Sequence, residues 1–115
     1  MLGQMSSGFD ADAVDEYWKV FASEERRRGM LDLFRSGDLE KLAPYAGRLG
    51  GLGVPTLVLW GENDDGYAPV GRAHRFGREI GGARVAIVEG AGHFVWEDDP
   101  VRCAREVIAF LEGSG

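Results

Sequence analysis

The chain has 115 residues, which fits one domain with a hydrophobic core of modest size. Its apolar fraction of 44% and charged fraction of 28% are those of an ordinary globular protein. The net charge of −6 argues against a surface that binds nucleic acid. The only basic run, Arg26-Arg27-Arg28, directly follows Glu24 and Glu25 and is interpreted as a solvated helix face.

The cysteine content and the hydropathy pattern predict a location in the cytoplasm. A single cysteine, Cys103, excludes an intramolecular disulfide and is typical of a reducing compartment. No apolar run approaches the roughly 18 residues that a membrane span needs, so we expect no membrane partner.

The first 50 residues predict helices. A first helix is capped by Asp10 or Asp12, a second begins after Ser23, and a short third begins after Asp38, with Pro44 restarting the chain. Four apolar side chains recur at helical spacing in the first helix: Val14, Tyr17, Trp18 and Phe21. This stripe is typical of a face that packs on a core, and the alternative that some of these rings line a pocket stays open.

A short apolar stretch then predicts a buried strand. Pro55 suits the first residue of a strand because it has no N–H to donate, and the residues that follow it up to Trp60 are almost all apolar. Apolar side chains on both faces predict a parallel strand covered by helices. At Gly61 the pattern breaks into an acidic loop, where Asp64 and Asp65 are turn residues or functional carboxylates.

The second half of the chain completes a right-handed β–α–β unit and adds a covering helix. A helix runs from Pro69 to about Ile80, a second strand covers residues 84–89, and a glycine-rich loop holds His93. The final helix starts at the Asp99 cap. We expect its inward face to consist of five apolar residues: Val101, Ala104, Val107, Ile108 and Leu111.

Two chemically important side chains follow the two predicted strands. The carboxyl ends of parallel strands meet at one edge of a sheet, which is where open α/β sheets place their sites. Asp64 follows the first strand and His93 follows the second. An aspartate that accepts a hydrogen bond from one imidazole nitrogen leaves the other free to act as a base. Gly61 and Gly92 are expected to let the backbone turn sharply at this edge.

Two stretches resemble the C-terminal third of an α/β-hydrolase of the esterase, epoxide hydrolase, haloalkane dehalogenase and C–C hydrolase group. They are VPTLVLWGEND at residues 54–64 and EGAGHFVWEDDP at residues 89–100. In that family the acid follows Gly-x-x at a strand end, which matches Asp64, and the histidine follows a glycine, which matches His93. The resemblance covers residues 54–112. Residues 9–50 resemble, more weakly, the end of the family's cap.

The resemblance implies a fold, a site and an activity. The fold class is α/β, with a helical cap-like segment at residues 1–50 and a C-terminal β–α–β–α part with parallel strands at residues 51–115. Asp64 and His93 would be catalytic, and three aromatic residues would line the substrate pocket: Phe94, Tyr67 and Trp96. The implied activity is hydrolysis of a small apolar ester or a related substrate, with no cofactor and no metal.

The sequence departs from this family at the nucleophile. The family places it on a strand-to-helix elbow of the Gly-x-Ser-x-Gly kind. The nearest approach is Gln4–Gly8, which lacks the first glycine and a preceding strand, so we reject Ser6 as the nucleophile. The oxyanion loop is also missing. We therefore expect a hydrolase fragment that is inactive alone.

The partners follow from this interpretation. The intact parent would take a small-molecule substrate, whereas the chain itself would form a homo-oligomer or pair with the missing N-terminal part, because unpaired strand edges invite association. The alternative is a non-catalytic oligomerisation or interaction module derived from a hydrolase. Neither nucleic acid nor a membrane is expected as a partner.

Overall fold

Two short parallel strands organise the second half of the chain. The computed structural model describes residues 6–113 and has a mixed α/β architecture. Strand β1 is Leu57–Gly61 and strand β2 is Arg84–Val88. They pair directly in parallel register, from Leu57 opposite Arg84 to Gly61 opposite Val88. The predicted α/β class and the predicted parallel pairing are both confirmed.

Helices fill most of the rest of the described chain. In chain order the α-helices are α1 (Ala11–Lys19), α2 (Glu24–Ser36), α3 (Gly71–Glu79), α4 (Val95–Asp98) and α5 (Pro100–Leu111). Two 3₁₀ helices cover Leu39–Tyr45 and Leu49–Gly51. The predicted caps are in place, because Asp10, Ser23 and Asp99 each accept a hydrogen bond from the backbone three residues ahead.

The chain divides into two compact units, one of residues 10–46 and the other of residues 6–9 together with 47–113. The 10–46 unit contains α1, α2 and the longer 3₁₀ helix. In α1 the Trp18 ring lies 5.7 Å from the Phe21 ring, yet Trp18 is 68% exposed, so this side chain is not packed into a core. The predicted third helix is a 3₁₀ helix, Leu39–Tyr45, and it contains Pro44, which has no N–H to donate in the interior of an α-helix.

The core of the second unit lies between the sheet and the last two helices. Val88 and Cys103 are fully buried, and Ala91 and Val95 complete the cluster. Leu59 of β1 packs against it from the sheet. The core therefore joins the end of β2 to α4 and α5, which are the elements that flank the histidine loop.

Strand β1 is less buried than its sequence predicts. It begins at Leu57 rather than at Pro55, and only Val58 and Gly61 are buried, while the other residues of the strand are half-buried. Helices α3 and α5 both contact the strand. The sheet of the described residues has only two strands, so each strand keeps one edge without a neighbour there.

Helix α5 faces the core with a different side from the predicted one. The buried residues are Cys103 and Glu106, whereas Val101 is 68% exposed and Leu111 is 75% exposed. The reason is electrostatic as well as steric. Glu106 accepts a hydrogen bond at 2.7 Å from Arg84 of β2, which turns this side of α5 toward the sheet, and a second one at 2.7 Å from Arg102 within the helix itself.

Candidate active site

The loops that follow β1 and β2 are tied together by backbone contacts. The hydrogen-bond ladder continues beyond the strands, since Glu62 N donates to Val88 O at 3.0 Å and Asn63 N donates to Ala91 O at 2.8 Å. The Glu62 carboxylate also accepts from Gly90 N at 2.9 Å. The two loops therefore hold a fixed position relative to each other, and each carries one of the predicted site residues.

Asp64 and His93 lie in direct contact at this edge. Asp64 Oδ2 is 2.7 Å from His93 Nδ1, and the Asp64 side chain is only 5% exposed. The other carboxylate oxygen accepts from Ala68 N at 3.2 Å, which orients the acid. The neighbouring Asp65 is exposed, so of the two aspartates it is Asp64 that the fold brings to the histidine.

This arrangement has a defined chemical capacity. An imidazole that donates its Nδ1–H to a carboxylate presents the lone pair of Nε2 to an incoming proton donor. The carboxylate also stabilises the imidazolium that forms when Nε2 takes the proton. The His93 side chain is 36% exposed, so a reacting group has access to it, while the acid behind it is shielded from solvent.

Gly61 allows the two loops to approach closely. A Cβ placed on Gly61 would lie 2.0 Å from the carbonyl oxygen of Gly92 and 2.6 Å from that of Ala91. Gly61 is not among the glycines with positive φ, so its role is this close approach and not the sharp turn that the sequence suggested.

A cavity of about 280 Å³ opens beside the pair. Phe94 and Trp96 line it, together with Leu59, Trp60 and Val95 from the neighbouring backbone segments. Tyr67 does not line this cavity, but its ring centre lies 5.5 Å from that of His93. The walls are mostly apolar, and the polar groups Asp64 and His93 converge on one side, which is the usual make-up of a small-molecule site.

A larger groove in the 10–46 unit lacks such chemistry. It measures about 420 Å³ and is lined by Val20, Arg26, Gly29, Met30 and Leu33. It brings together neither an acid nor a histidine, so we place the candidate site at the Asp64–His93 cavity.

The sequence missed a second group of polar residues behind the histidine. Asp98 of α4 accepts a hydrogen bond from Gly92 N at 2.7 Å and another from Gly8 N. Ser6 Oγ accepts from Phe94 N at 2.7 Å. In the sequence Asp98 lies in an acidic run beside the cap of α5, and no spacing signal links it to residue 6.

The pKa of Asp98 reflects this environment. Burial alone would raise it, but hydrogen bonds from Gly92 N–H, the Ser6 hydroxyl, Gly8 N–H and Ser7 N–H outweigh that effect. The net result is a pKa below the ordinary value for an aspartate, so this carboxylate is charged at neutral pH.

Ser6 has the surroundings of a structural hydroxyl. It is 5% exposed, donates to Asp98 and accepts from Phe94 N. This use of the hydroxyl agrees with its rejection as a nucleophile on sequence grounds. The beginning of the Gln4–Gly8 stretch, residues 4 and 5, lies outside the described residues.

Two further findings concern metals and membranes. Within residues 6–113, no group of three or more histidine, cysteine, aspartate or glutamate side chains is arranged to hold a metal ion. None of the helices in the same range has the length and apolarity that a membrane crossing requires.

Comparison with known proteins identifies the family. Residues 2–106 match the profile of the alpha/beta hydrolase family. An uncharacterised protein of Mycobacterium bovis and two of Mycobacterium tuberculosis are each 36% identical over 59 residues. That match covers 51% of this chain but only 17% of each relative. No solved structure matches. Because the family profile spans most of its length, this chain belongs to the alpha/beta hydrolase family.

Proposed function

We propose that this chain supplies the acid and the histidine of a hydrolase triad. The observation that carries the proposal is the 2.7 Å contact between Asp64 Oδ2 and His93 Nδ1, formed where two adjacent parallel strands end. In this role His93 is the general base and Asp64 orients and charge-stabilises it.

The proposed reaction is hydrolysis of an ester. His93 Nε2 takes the proton from a nucleophilic hydroxyl or from water as that oxygen forms a bond to the ester carbonyl carbon. The bond from that carbon to the leaving alkoxide then breaks, and Nε2 returns the proton to the alkoxide. Where the nucleophile is a hydroxyl, the acyl group now sits on that oxygen; His93 Nε2 then takes a proton from a water whose oxygen bonds to the acyl carbon, the bond from that carbon to the nucleophile oxygen breaks, and Nε2 returns the proton to that oxygen. One water is consumed, an acid and an alcohol are released, and no oxidation state changes.

The cavity supports a small apolar substrate. Its volume of about 280 Å³ lies just below the usual range for ligand sites, roughly 300 to 1,000 Å³. Phe94 and Trp96 provide aromatic walls, and Tyr67 would extend the apolar surface beside the His93 ring. We therefore propose a short acyl or small alkyl ester as the substrate class.

We further propose that the nucleophile comes from outside this chain, so that the chain is inactive alone. Ser6, the serine nearest to a nucleophile elbow in the sequence, donates to Asp98. In this proposal residues 1–50 act as a cap, in keeping with the separate helical unit at residues 10–46, and residues 51–115 form the C-terminal β–α–β–α part of the hydrolase core.

The test compares two histidines in an intact hydrolase that contains this segment. We expect His93→Ala to lower kcat/KM for a chromogenic short-chain ester by about 10³-fold or more. His74→Ala is the matched control, because His74 is exposed on α3, and it should leave kcat/KM unchanged. The purified 115-residue chain should show no turnover that depends on His93. Full turnover by the His93→Ala hydrolase would refute the proposal.

A second candidate function is a non-catalytic interaction module. It is favoured by the free strand edges of the two-stranded sheet and by the exposed apolar side chains Val101, Ile108 and Leu111 on α5. The partner would be a second copy or the nucleophile-bearing part of the hydrolase. Size-exclusion chromatography with light scattering tests this second function. A chain that stays monomeric and does not bind the nucleophile-bearing part would exclude the interaction module.

A further inference from the structure

We propose that Asp98 and Ser6 are positioning residues for His93, which they hold by the backbone amides on either side of it. This inference rests on the proposed function, since it assigns these two residues a part in placing the proposed general base. The inference rests on two hydrogen bonds: Gly92 N, just before His93, donates to Asp98, and Phe94 N, just after it, donates to Ser6.

Asp98 holds the backbone amide of Gly92, the residue that precedes His93. One carboxylate oxygen accepts from Gly92 N at 2.7 Å, while the other accepts from Gly8 N. Hydrogen bonds from backbone amides to a carboxylate are charge-assisted and stronger than those between neutral groups. Asp98 thereby ties the histidine loop both to α4 and to the 6–9 segment.

Ser6 holds the backbone amide of Phe94, the residue that follows His93. Its Oγ accepts from Phe94 N at 2.7 Å and its hydroxyl donates to Asp98, so the two anchors form one connected network. The Phe9 ring packs edge-on against the Phe94 ring with centres 5.0 Å apart, which adds an apolar contact at the same place. Ser6 is 5% exposed, so water competes little for these hydrogen bonds.

The loop has a physical need for such anchors. It contains Gly90, with a φ of 72°, and Gly92, and glycine-rich backbone samples many conformations unless contacts restrict it. Asp64 holds the imidazole at one nitrogen only. The direction of the other nitrogen depends on where the backbone places the ring, and catalytic groups need placement to within about 0.5 Å.

The experiment reads His93 directly by NMR in the ¹⁵N-labelled 115-residue chain. Two observables are measured: the tautomer of the His93 ring and the hydrogen-exchange rates of the Gly92 and Phe94 amides. The variants are Asp98→Asn, in which an NH₂ group opposes one of the two amide donors, and Ser6→Ala, which removes the acceptor for Phe94 N–H. Asp99→Ala is the matched control, because it removes the cap of α5 without touching either amide.

We expect each variant to raise exchange of its anchored amide about tenfold, as befits the loss of one strong hydrogen bond. The Nδ1–H tautomer of His93 should lose population in both variants, because the ring no longer stays in register with Asp64. Asp99→Ala should leave the tautomer unchanged and should shift exchange only as much as it shifts global unfolding.

An unchanged His93 tautomer in both variants, with exchange no faster than in Asp99→Ala, would overturn the inference. If Asp98→Asn fails to fold, Ser6→Ala decides alone, because it keeps the charge and removes a single oxygen. The NMR readout needs no turnover. Failure of the hydrolase proposal would instead appear as full activity of the His93→Ala hydrolase, so the two failures are distinguishable.

Discussion

Replacing Gly61 with alanine tests whether the site depends on the close approach of its two loops. The added Cβ would lie 2.0 Å from the Gly92 carbonyl oxygen and 2.6 Å from the Ala91 carbonyl oxygen. Both opposing groups are backbone, so no flexible side-chain end can move aside. The loop that carries His93 must therefore shift by roughly 1.4 Å before the contact with the Gly92 oxygen becomes an ordinary van der Waals contact.

The expected loss of stability follows from two opposing effects. Overpacking of this kind costs about 1 to 3 kcal/mol. Alanine lowers the conformational entropy of the unfolded chain, which offsets about 0.4 to 1 kcal/mol of that destabilisation. At the midpoints of these two ranges the net destabilisation is about 1.3 kcal/mol, which raises the ratio of unfolded to folded chain roughly 9-fold.

Urea unfolding followed by circular dichroism measures this change. Gly71→Ala is the matched control, because Gly71 is the first residue of α3 and its added Cβ would meet nothing within 4 Å. That variant should be unchanged or more stable by up to about 1 kcal/mol. In an intact hydrolase, Gly61→Ala should also lower kcat about 100-fold, since a shift of 1 Å in a catalytic group has this order of effect.

A Gly61→Ala chain as stable as Gly71→Ala, with an unaltered His93 tautomer, would refute the reasoning. It would mean that the ends of β1 and β2 separate easily and that the short distance between the loops is not required for the acid–histidine contact.

Two further predictions concern single titratable groups. Burial, with the charges of Asp99 and Glu106, raises the pKa of the Cys103 thiol and outweighs the opposing charge of Arg102. We therefore expect an aromatic disulfide reagent to label Cys103 at least about 100-fold more slowly in native buffer than in urea. Equal labelling rates in the two solvents would contradict the burial of Cys103. The pKa of Asp98 is lower in the folded chain, so its ionisation stabilises the fold above about pH 4 and that contribution is lost as the pH falls further. The stability gap between wild type and Asp98→Asn, measured by urea unfolding, should therefore narrow from pH 6 to pH 3, and a gap independent of pH would contradict the assigned hydrogen bonds.

The sequence predicts local features of the fold well because they depend on local chemistry. Asp10, Ser23 and Asp99 cap helices as expected, since a cap needs only a short polar side chain at a helix start. The placement of the acidic loop and His93 at one edge follows from strand order, because parallel strands deliver their following loops to one edge. The choice of Asp64 over Asp65 comes instead from the spacing in the family that the sequence resembles.

Features that depend on distant neighbours escape a reading of the sequence. The inward face of α5 is set by Cys103 and by the pairing of Glu106 with Arg84, which lies 22 positions away on β2. The anchor from Ser6 to Phe94 joins residues 88 positions apart. No periodicity in the sequence predicts such contacts. The segment around Ser6 has the serine and glycine composition of an ordinary exposed loop, so its composition does not indicate that Ser6 is buried.

The discontinuity of the second unit has a consequence for how the chain tolerates change. Residues 10–46 interrupt a unit whose two parts, residues 6–9 and 47–113, contact each other directly through Ser6 and Phe94. The interrupting helices are thus an insertion that leaves and re-enters one unit. Lengthening an insertion costs little, because each doubling of a closed loop adds only about 0.6 kcal/mol. We therefore expect that residues 10–46 can be lengthened while Asp64 and His93 stay in contact.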